Sequence, residues 1–414
     1  MTPFFVTMFF LPLSSLATAA NFTEVFEWPN KLDFEWPSEA RRTQALRDGT
    51  FEQQKIEPVY MAVYGSRIFL SLEKYSYIPV SLVSLPTNSA SSAPPNLTPF
   101  PSWDMHEYEN CDKIEKARGL EVDSVGRLWL LDEGSPKCYS KLWIIDLSND
   151  DKTKIIHRFP FLSSSMHDLV LEEAANGTFA YISRWGEQSI VVFSLERKQS
   201  WIVDTPRMEV YSIALSPKDE EPRKLYLGNW SSNGLYSISV ATLRNGTRTA
   251  KPKLIGKWTS NKSYRMLMDN NGTIYAAFKW KNYISSLNTS QPFEEQRFHE
   301  VAGQDSYWPF TFVLDQNGTF WMTVFDFQRK PRCRLLEAAI GAKSYIIDAS
   351  PVTPATATNP TLSRDTKLTP LTNLLHLFII VVICSFVLII LWLILRQKMK
   401  IICVLENNGV VMVK

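Results

Sequence analysis

Between residues 57 and 348 the chain alternates short apolar runs with turn residues, and one phrase comes back six times. Each copy is a turn followed by a small apolar run holding an aromatic residue. The copies are Tyr64-Gly65-Ser66-Arg67-Ile68-Phe69, Val125-Gly126-Arg127-Leu128-Trp129, Asn176-Gly177-Thr178-Phe179-Ala180-Tyr181, Pro222-Arg223-Lys224-Leu225-Tyr226, Asn271-Gly272-Thr273-Ile274-Tyr275 and Asn317-Gly318-Thr319-Phe320-Trp321. Gly126 to Gly318 spans 192 residues in four steps, a mean period of 48. An alternating run precedes the turn, as in Gly119-Leu120-Glu121-Val122-Asp123. An apolar run follows it, as in Leu128-Trp129-Leu130-Leu131-Asp132, and a third comes later, as in Lys141-Leu142-Trp143-Ile144-Ile145-Asp146. Such runs, bounded by turn residues, predict short antiparallel strands. Periods of roughly 40–50 residues filled with short strands predict propeller blades. The expected fold is therefore all-β: a six-bladed β-propeller of four-stranded antiparallel sheets over residues 57–348. The fourth copy lacks the glycine, and Lys218-Asp219-Glu220-Glu221-Pro222 predicts a longer loop there.

The pattern changes at both ends. Residues 1–16 are apolar and lead into Ala17-Thr18-Ala19-Ala20, a small-residue cleavage site, so residues 1–20 read as a secretory signal peptide. Residues 21–56 are aromatic and charged without a clear period and read as an arm packing on the ring. Residues 349–373 are rich in Thr and Pro and cannot bury enough apolar surface to fold; they read as an extended stalk. Residues 374–395 are almost uninterrupted apolar residues, long enough to cross a bilayer core. Arg396, Lys398 and Lys400 follow, which directs residues 396–414 to the cytosol. The fold class thus includes one C-terminal transmembrane helix. The expectation is a single-pass type I protein with a monomeric ectodomain on the extracellular face of the plasma membrane, or a shed or secreted form of it.

Composition narrows the function classes. The formal net charge is +2 and the segment 396–414 carries +3, so residues 1–395 sum to −1. No basic field is available for nucleic acid. Nine Asn-x-Ser/Thr glycosylation sequons precede the apolar segment, at Asn21, Asn96, Asn176, Asn229, Asn245, Asn261, Asn271, Asn288 and Asn317. Asn176, Asn245, Asn271 and Asn317 also form Asn-Gly pairs, which accept φ > 0 in hairpin turns. Cys111 and Cys138 flank the inner hairpin of the second repeat and are expected to pair, with ~3 kcal/mol from loop closure. Cys333 is left over outside the membrane, with Cys384 in the apolar segment and Cys403 in the segment after it. There is no G-x-S-x-G, no H-E-x-x-H and no nucleotide-binding glycine loop. The five histidines, His106, His157, His167, His299 and His376, show no metal-ligand spacing. No metal and no cofactor are expected.

Several phrases together carry a family resemblance: Leu97-Thr98-Pro99-Phe100-Pro101-Ser102-Trp103, Cys111-Asp112, Arg127-Leu128-Trp129-Leu130-Leu131-Asp132-Glu133-Gly134, Lys141-Leu142-Trp143-Ile144-Ile145-Asp146-Leu147, Ser200-Trp201 and Ile213-Ala214-Leu215-Ser216-Pro217. Over residues 27–347 the chain resembles the yellow/major royal jelly protein family of mostly insect proteins. The resemblance implies a six-bladed propeller, secretion and roles around catecholamine chemistry: cuticle pigmentation, dopachrome conversion in some members, and biogenic-amine binding in the channel of others. The chain departs from the family pattern at four places. A second cysteine pair is missing, with Ala175 or Asn176 and Ser286-Leu287-Asn288 in its positions. Arg332-Cys333-Arg334 stands where the family has a late N-F-R phrase, and Leu72-Glu73-Lys74 replaces a P-R-W phrase in the first blade. Most members also lack the stalk and the span.

Candidate site residues follow from the propeller geometry. The first strand of each blade lines the channel, and its leading residues point at one mouth. These include Glu57 and Tyr60, Glu115 and Arg118, His167 and Asp168, Tyr211, Tyr264 and Arg265, and Trp308 with Phe310 and Thr311. An aromatic amine needs a stacking face, a carboxylate for its ammonium and donors for its ring hydroxyls. Glu115 or Asp168 is the expected counter-ion, with Tyr211, Tyr264 and Trp308 as walls. The alternative is that these charges pair with one another and close the channel. His167 and Arg118 are the candidates for a dopachrome-type proton transfer, although strand alternation lets only one of His167 and Asp168 face the channel. The expectations are a binder of a small aromatic ligand or an extracellular partner, a dopachrome-converting enzyme, or a structural cell-surface glycoprotein.

Overall fold

One aspartate pattern explains why the recurring phrase folds as it does. Asp123, Asp269 and Asp315 each stand three residues before the turn glycine. Asp315 Oδ1 accepts from the backbone N–H of Asn317 (2.9 Å) and Thr319 (2.8 Å), and Oδ2 accepts from the Trp321 indole at 3.1 Å. Asp269 does the same with Asn271, Thr273 and the Tyr275 hydroxyl. Asp123 takes Val125, Arg127 and the Trp129 indole. One carboxylate closes the turn and anchors the aromatic residue of the next strand, which is how an Asp side chain builds a turn. The glycine completes it at φ +82° in Gly126 and +90° in Gly318, a region that side chains with a Cβ disfavour.

The computed structural model describes residues 20–29, 31–88, 93–162, 165–301, 307–326 and 332–347. The stalk, the apolar segment 374–395 and nearly all of the expected signal peptide lie outside the described residues. Among the described residues no helix is long and apolar enough to cross a membrane.

The strands, in chain order, begin with β1 (Thr23–Trp28). Blade one holds β2 (Pro58–Tyr64), β3 (Arg67–Leu72), β4 (Leu82–Pro86) and β5 (Thr98–Pro99). Blade two holds β6 (Ala117–Val122), β7 (Arg127–Asp132), β8 (Tyr139–Asp146) and β9 (Lys152–Leu162). Blade three holds β10 (Met166–Ala174), β11 (Gly177–Arg184), β12 (Ser189–Ser194) and β13 (Gln199–Asp204). Blade four holds β14 (Val210–Leu215), β15 (Lys224–Asn229), β16 (Gly234–Ser239) and β17 (Lys253–Lys257). Blade five holds β18 (Ser263–Met268), β19 (Thr273–Phe278), β20 (Tyr283–Asn288) and β21 (Gln296–Glu300). Blade six holds β22 (Tyr307–Leu314), β23 (Thr319–Asp326) and β24 (Arg332–Ala339).

The first five sheets run in chain order, whereas the sixth has the order β1-β24-β23-β22. Part of the 21–56 arm is therefore a strand, and β1 is the outermost strand of the last blade. The ring closes where the inner strands β2 and β22 meet. The predicted six-bladed, four-stranded antiparallel architecture is the observed one. The core lies between neighbouring sheets, where the indoles of Trp129, Trp143 and Trp258 are fully buried. A short helix, α1 (Glu39–Arg47), stands outside the ring with no buried residue. At the far end of the channel the chain after β24 crosses the opening. Tyr345 is buried there, with Leu171 N–H donating to its hydroxyl at 2.9 Å, and Ser344 pairs with Asp269. The channel is open at one mouth and covered at the other.

Candidate functional site

Every inner strand breaks register with its neighbour at the same depth. The shifts lie between Pro58 and Tyr60, Ala117 and Leu120, Met166 and Leu169, Val210 and Ile213, Ser263 and Arg265, and Pro309 and Thr311. A bulge re-aims side chains, and here the extra residues of five blades are Val59, Arg118, His167, Tyr211 and Tyr264. All five line one axial cavity of about 270 Å³. The side chains of Trp308 and Phe310 lie outside the described residues. Thr311 is on the same strand as those two and is fully buried.

A second set lines the cavity from just beyond the second strand of the first three blades. Glu73 follows β3, Glu133 follows β7 and Trp185 follows β11. Trp230 follows β15 and extends the aromatic wall: its ring is 4.5 Å from Tyr211 and 5.5 Å from Trp185, with the Lys262 ammonium 3.9 Å above it. These positions escaped the first-strand reasoning. The shared signal is the residue immediately after the second strand of blades one to four, where the chain emerges at the same mouth.

Electrostatics divide the site into two layers. At the mouth Arg118 bridges Glu73 (2.5 Å) and Glu133 (3.0 Å), and Lys116 meets Glu133 at 2.8 Å. Burial opposes the Arg118 charge, but Glu73 and Glu133 more than offset it and hold the guanidinium ionised. The two carboxylates and two cations balance. Below, Asp168 pairs with Arg265 at 2.7 Å and also accepts the backbone N–H of Ile213 and Leu169. Burial raises the Asp168 carboxyl against the pull of Arg265. The Arg265 guanidinium lies 4.7 Å over the Tyr60 ring, and the Tyr60 oxygen is 2.6 Å from His167 Nδ1. Burial raises the Tyr60 hydroxyl well above its ordinary value and lowers His167 well below its own. Both groups stay neutral, so Tyr60 donates to Nδ1 and the His167 proton sits on Nε2. The ring face of His167 stacks 3.7 Å from Tyr211.

Two expectations are corrected. Glu115 does not reach the channel: it is fully buried in blade two, where Lys141 meets it at 3.1 Å and Glu109 N–H donates to it at 3.0 Å. Asp168 is on the axis but is held by Arg265 and two backbone donors and does not line the cavity, so it does not face a ligand there. Of His167 and Asp168 only His167 lines the cavity, as expected, although the β10 bulge sets this, with Asp168 in the layer beneath. The alternative of mutually paired charges therefore holds for Arg118, Asp168 and Arg265, with a cavity left above them. Elsewhere the Cys111–Cys138 disulfide is formed and Cys333 is a buried free thiol. Eight sequon asparagines are exposed, at 21, 96, 176, 245, 261, 271, 288 and 317, whereas Asn229 is buried and its Oδ1 accepts from Ser231 N–H. Among the described residues no cluster of three His, Cys, Asp or Glu is placed to hold a metal ion.

A six-bladed propeller with one open mouth, ringed by bulge residues, defines the class of protein. The family model for the major royal jelly proteins matches residues 117–210 and 205–322. The chain belongs to the yellow/major royal jelly protein family. It is 26% identical to major royal jelly protein 3 of Apis mellifera over 314 residues, covering 67% of this chain and 57% of that one. It is 23% identical to protein yellow of Drosophila melanogaster over 364 residues, covering 77% of this chain and 66% of that one. The chain thus spans less than two thirds of the length of these relatives. Among solved structures a streptogramin B lyase aligns at 12% identity with a TM-score of 0.43, over 76% of this chain and 99% of that one.

Proposed function

We propose that the protein is an extracellular propeller whose axial cavity binds a small aromatic ligand of the catecholamine or indoleamine kind. The observation that carries this reading is the set of inner-strand bulges that turns Arg118, His167, Tyr211 and Tyr264 into one cavity beside Trp185. Flat π-faces at the mouth suit an aromatic ring. The counter-ion role passes to Glu73 and Glu133, the carboxylates that line the cavity; an incoming ammonium would share them with Arg118. The disulfide and the exposed sequons support an extracellular setting, and the apolar length of residues 374–395 supports attachment to the membrane.

The test is titration calorimetry of the purified protein with dopamine and serotonin. We expect saturable heat that Tyr211→Ala reduces by roughly tenfold in affinity, or about 1.4 kcal/mol. Absence of heat at high micromolar ligand would overturn the binding reading. Dopachrome loss above the uncatalysed rate, abolished in His167→Ala, would replace it with turnover.

A further inference from the structure

A second cavity of about 510 Å³ lies away from the axis, between α1 and the loops of blade one. Its size falls in the range of roughly 300–1,000 Å³ common to small-molecule pockets. Two indoles, Trp36 and Trp103, form its apolar wall, with ring centres 4.8 Å apart. Their N–H groups are already used: Trp36 donates to Asp33 Oδ1 and Trp103 to the Glu35 carbonyl, both at 2.9 Å. What the tryptophans leave for a ligand is ring surface, not donors.

The polar wall is of a different kind. Arg41 and Gln44 reach the cavity from α1, and Arg41 has no ion-pair partner among the described residues. The Gln44 amide is clamped on both oxygens of Asp48, at 2.7 and 2.8 Å. Asp104 accepts from Ser102. His106 closes the inner end, where its Nε2 is 2.8 Å from the Phe100 carbonyl and its Nδ1 is buried without a partner among the described residues. Since Nε2 must donate to that carbonyl, Nδ1 presents a lone pair, and a buried acceptor left unsatisfied is destabilising. Burial lowers His106 to about 4, so it stays neutral near pH 7.

We propose that this lateral cavity is a binding site for a neutral saccharide. One guanidinium against two carboxylates, each already hydrogen-bonded, gives no strong field for an ion of either sign. A ligand that fits must offer a flat apolar face to the indoles and groups along its edge that both donate and accept. Pyranose rings meet these demands: their C–H faces pack on aromatic surfaces, and each hydroxyl both donates and accepts. Asp48 and Asp104 are hydrogen-bonded only by the neutral Gln44 and Ser102 side chains, so a cationic aromatic amine is the competing ligand that the test must separate from a sugar. This site is independent of the axial reading and shares no residue with it.

The experiment is saturation-transfer NMR on the full protein with maltotriose, chitotriose and mannotriose as probes, followed by calorimetry of any probe that responds. We expect transfer to at least one trisaccharide and an affinity loss of roughly tenfold or more in Arg41→Ala/Gln44→Ala. Both residues lie on a helix with no buried side chain, so this variant keeps the fold. Trp103→Ala should abolish transfer, with an unchanged circular dichroism spectrum as the folding check. No transfer to any probe at millimolar concentration would overturn the proposal. Binding that survives the helix double variant, or displacement of the sugar by serotonin, would do so as well.

Discussion

Glu121 and His167 both feel the Arg265 charge, yet they bias stability in opposite directions with pH. Burial pushes the Glu121 carboxyl up to about 8, against the attraction of Arg265. Its folded value therefore exceeds its unfolded one, so the folded state holds the proton through the window between roughly 4.5 and 8. The stability this represents is present at low pH and is lost as pH rises through 8. His167 is the reverse: burial first, then Arg118 and Arg265, lower it. Its contribution is present above the unfolded value of about 6.5 and is lost as pH falls below it. Urea midpoints measured from pH 5 to pH 9 should thus change little below about 6.5, where the two opposite dependences offset, and decline between about 6.5 and 8. Glu121→Gln should remove the alkaline decline. Its advantage over the parent should grow to the order of 1–3 kcal/mol by pH 9, after discounting for partial exposure. Parallel curves for the two proteins above pH 6 would show that Glu121 does not titrate as stated.

At the scale of the element, the turn carboxylates carry more than their size suggests. Removing Asp315 leaves two backbone N–H groups and the Trp321 indole without an acceptor. With net costs of about 0.5–1.5 kcal/mol per hydrogen bond and more for charged acceptors, Asp315→Ala should cost ~2–4 kcal/mol in chemical denaturation. Asp315→Asn, which keeps one acceptor oxygen, should recover part of it. The same loss is expected at Asp123, where Trp129 is fully buried. This motif shows what the sequence could and could not disclose. The strands and hairpins were legible because a period of two and a glycine turn are local signals. The aspartate three places before the glycine is local too and was open to the same reading. The bulges were not legible: they follow from packing six first strands around a common axis. Gly119 shows the constraint, since a Cβ there would lie 2.8 Å from Leu169 Cβ on the neighbouring inner strand. Without the bulges alternation separates His167 from Asp168, and Glu115 looks like a channel residue although Lys141 holds it elsewhere.

For the whole molecule the decisive contact joins the two ends of the folded chain. Strand β1 pairs antiparallel with β24 in a register that sets Thr23 against Glu337 and Trp28 against Cys333. No periodicity announces this partnership, because its members lie some 300 residues apart and the pairing energy appears only once the other blades are in place. Such non-local pairing is the slow, entropically costly part of a β fold. Phe26 and Trp28 bury themselves in one cluster with Leu335 and the Cys333 thiol. Deleting residues 21–28 should therefore do three things together. It should expose the β24 edge, a template for association with other chains. It should remove two buried aromatic side chains, at about 3–5 kcal/mol each by analogy with truncation to alanine. It should also uncover Cys333, whose burial now raises its thiol well above the ordinary value and keeps it from reacting. Labelling with a thiol reagent under native conditions, in a background with Cys384→Ser and Cys403→Ser, reads the last effect directly: Cys333 in the otherwise intact protein should label only on global unfolding, whereas in the truncated protein it should label without denaturant. If Cys333 stays protected after the deletion while the protein remains monomeric, the ring is held shut by its inner strands alone and β1 is a covering, not a closure.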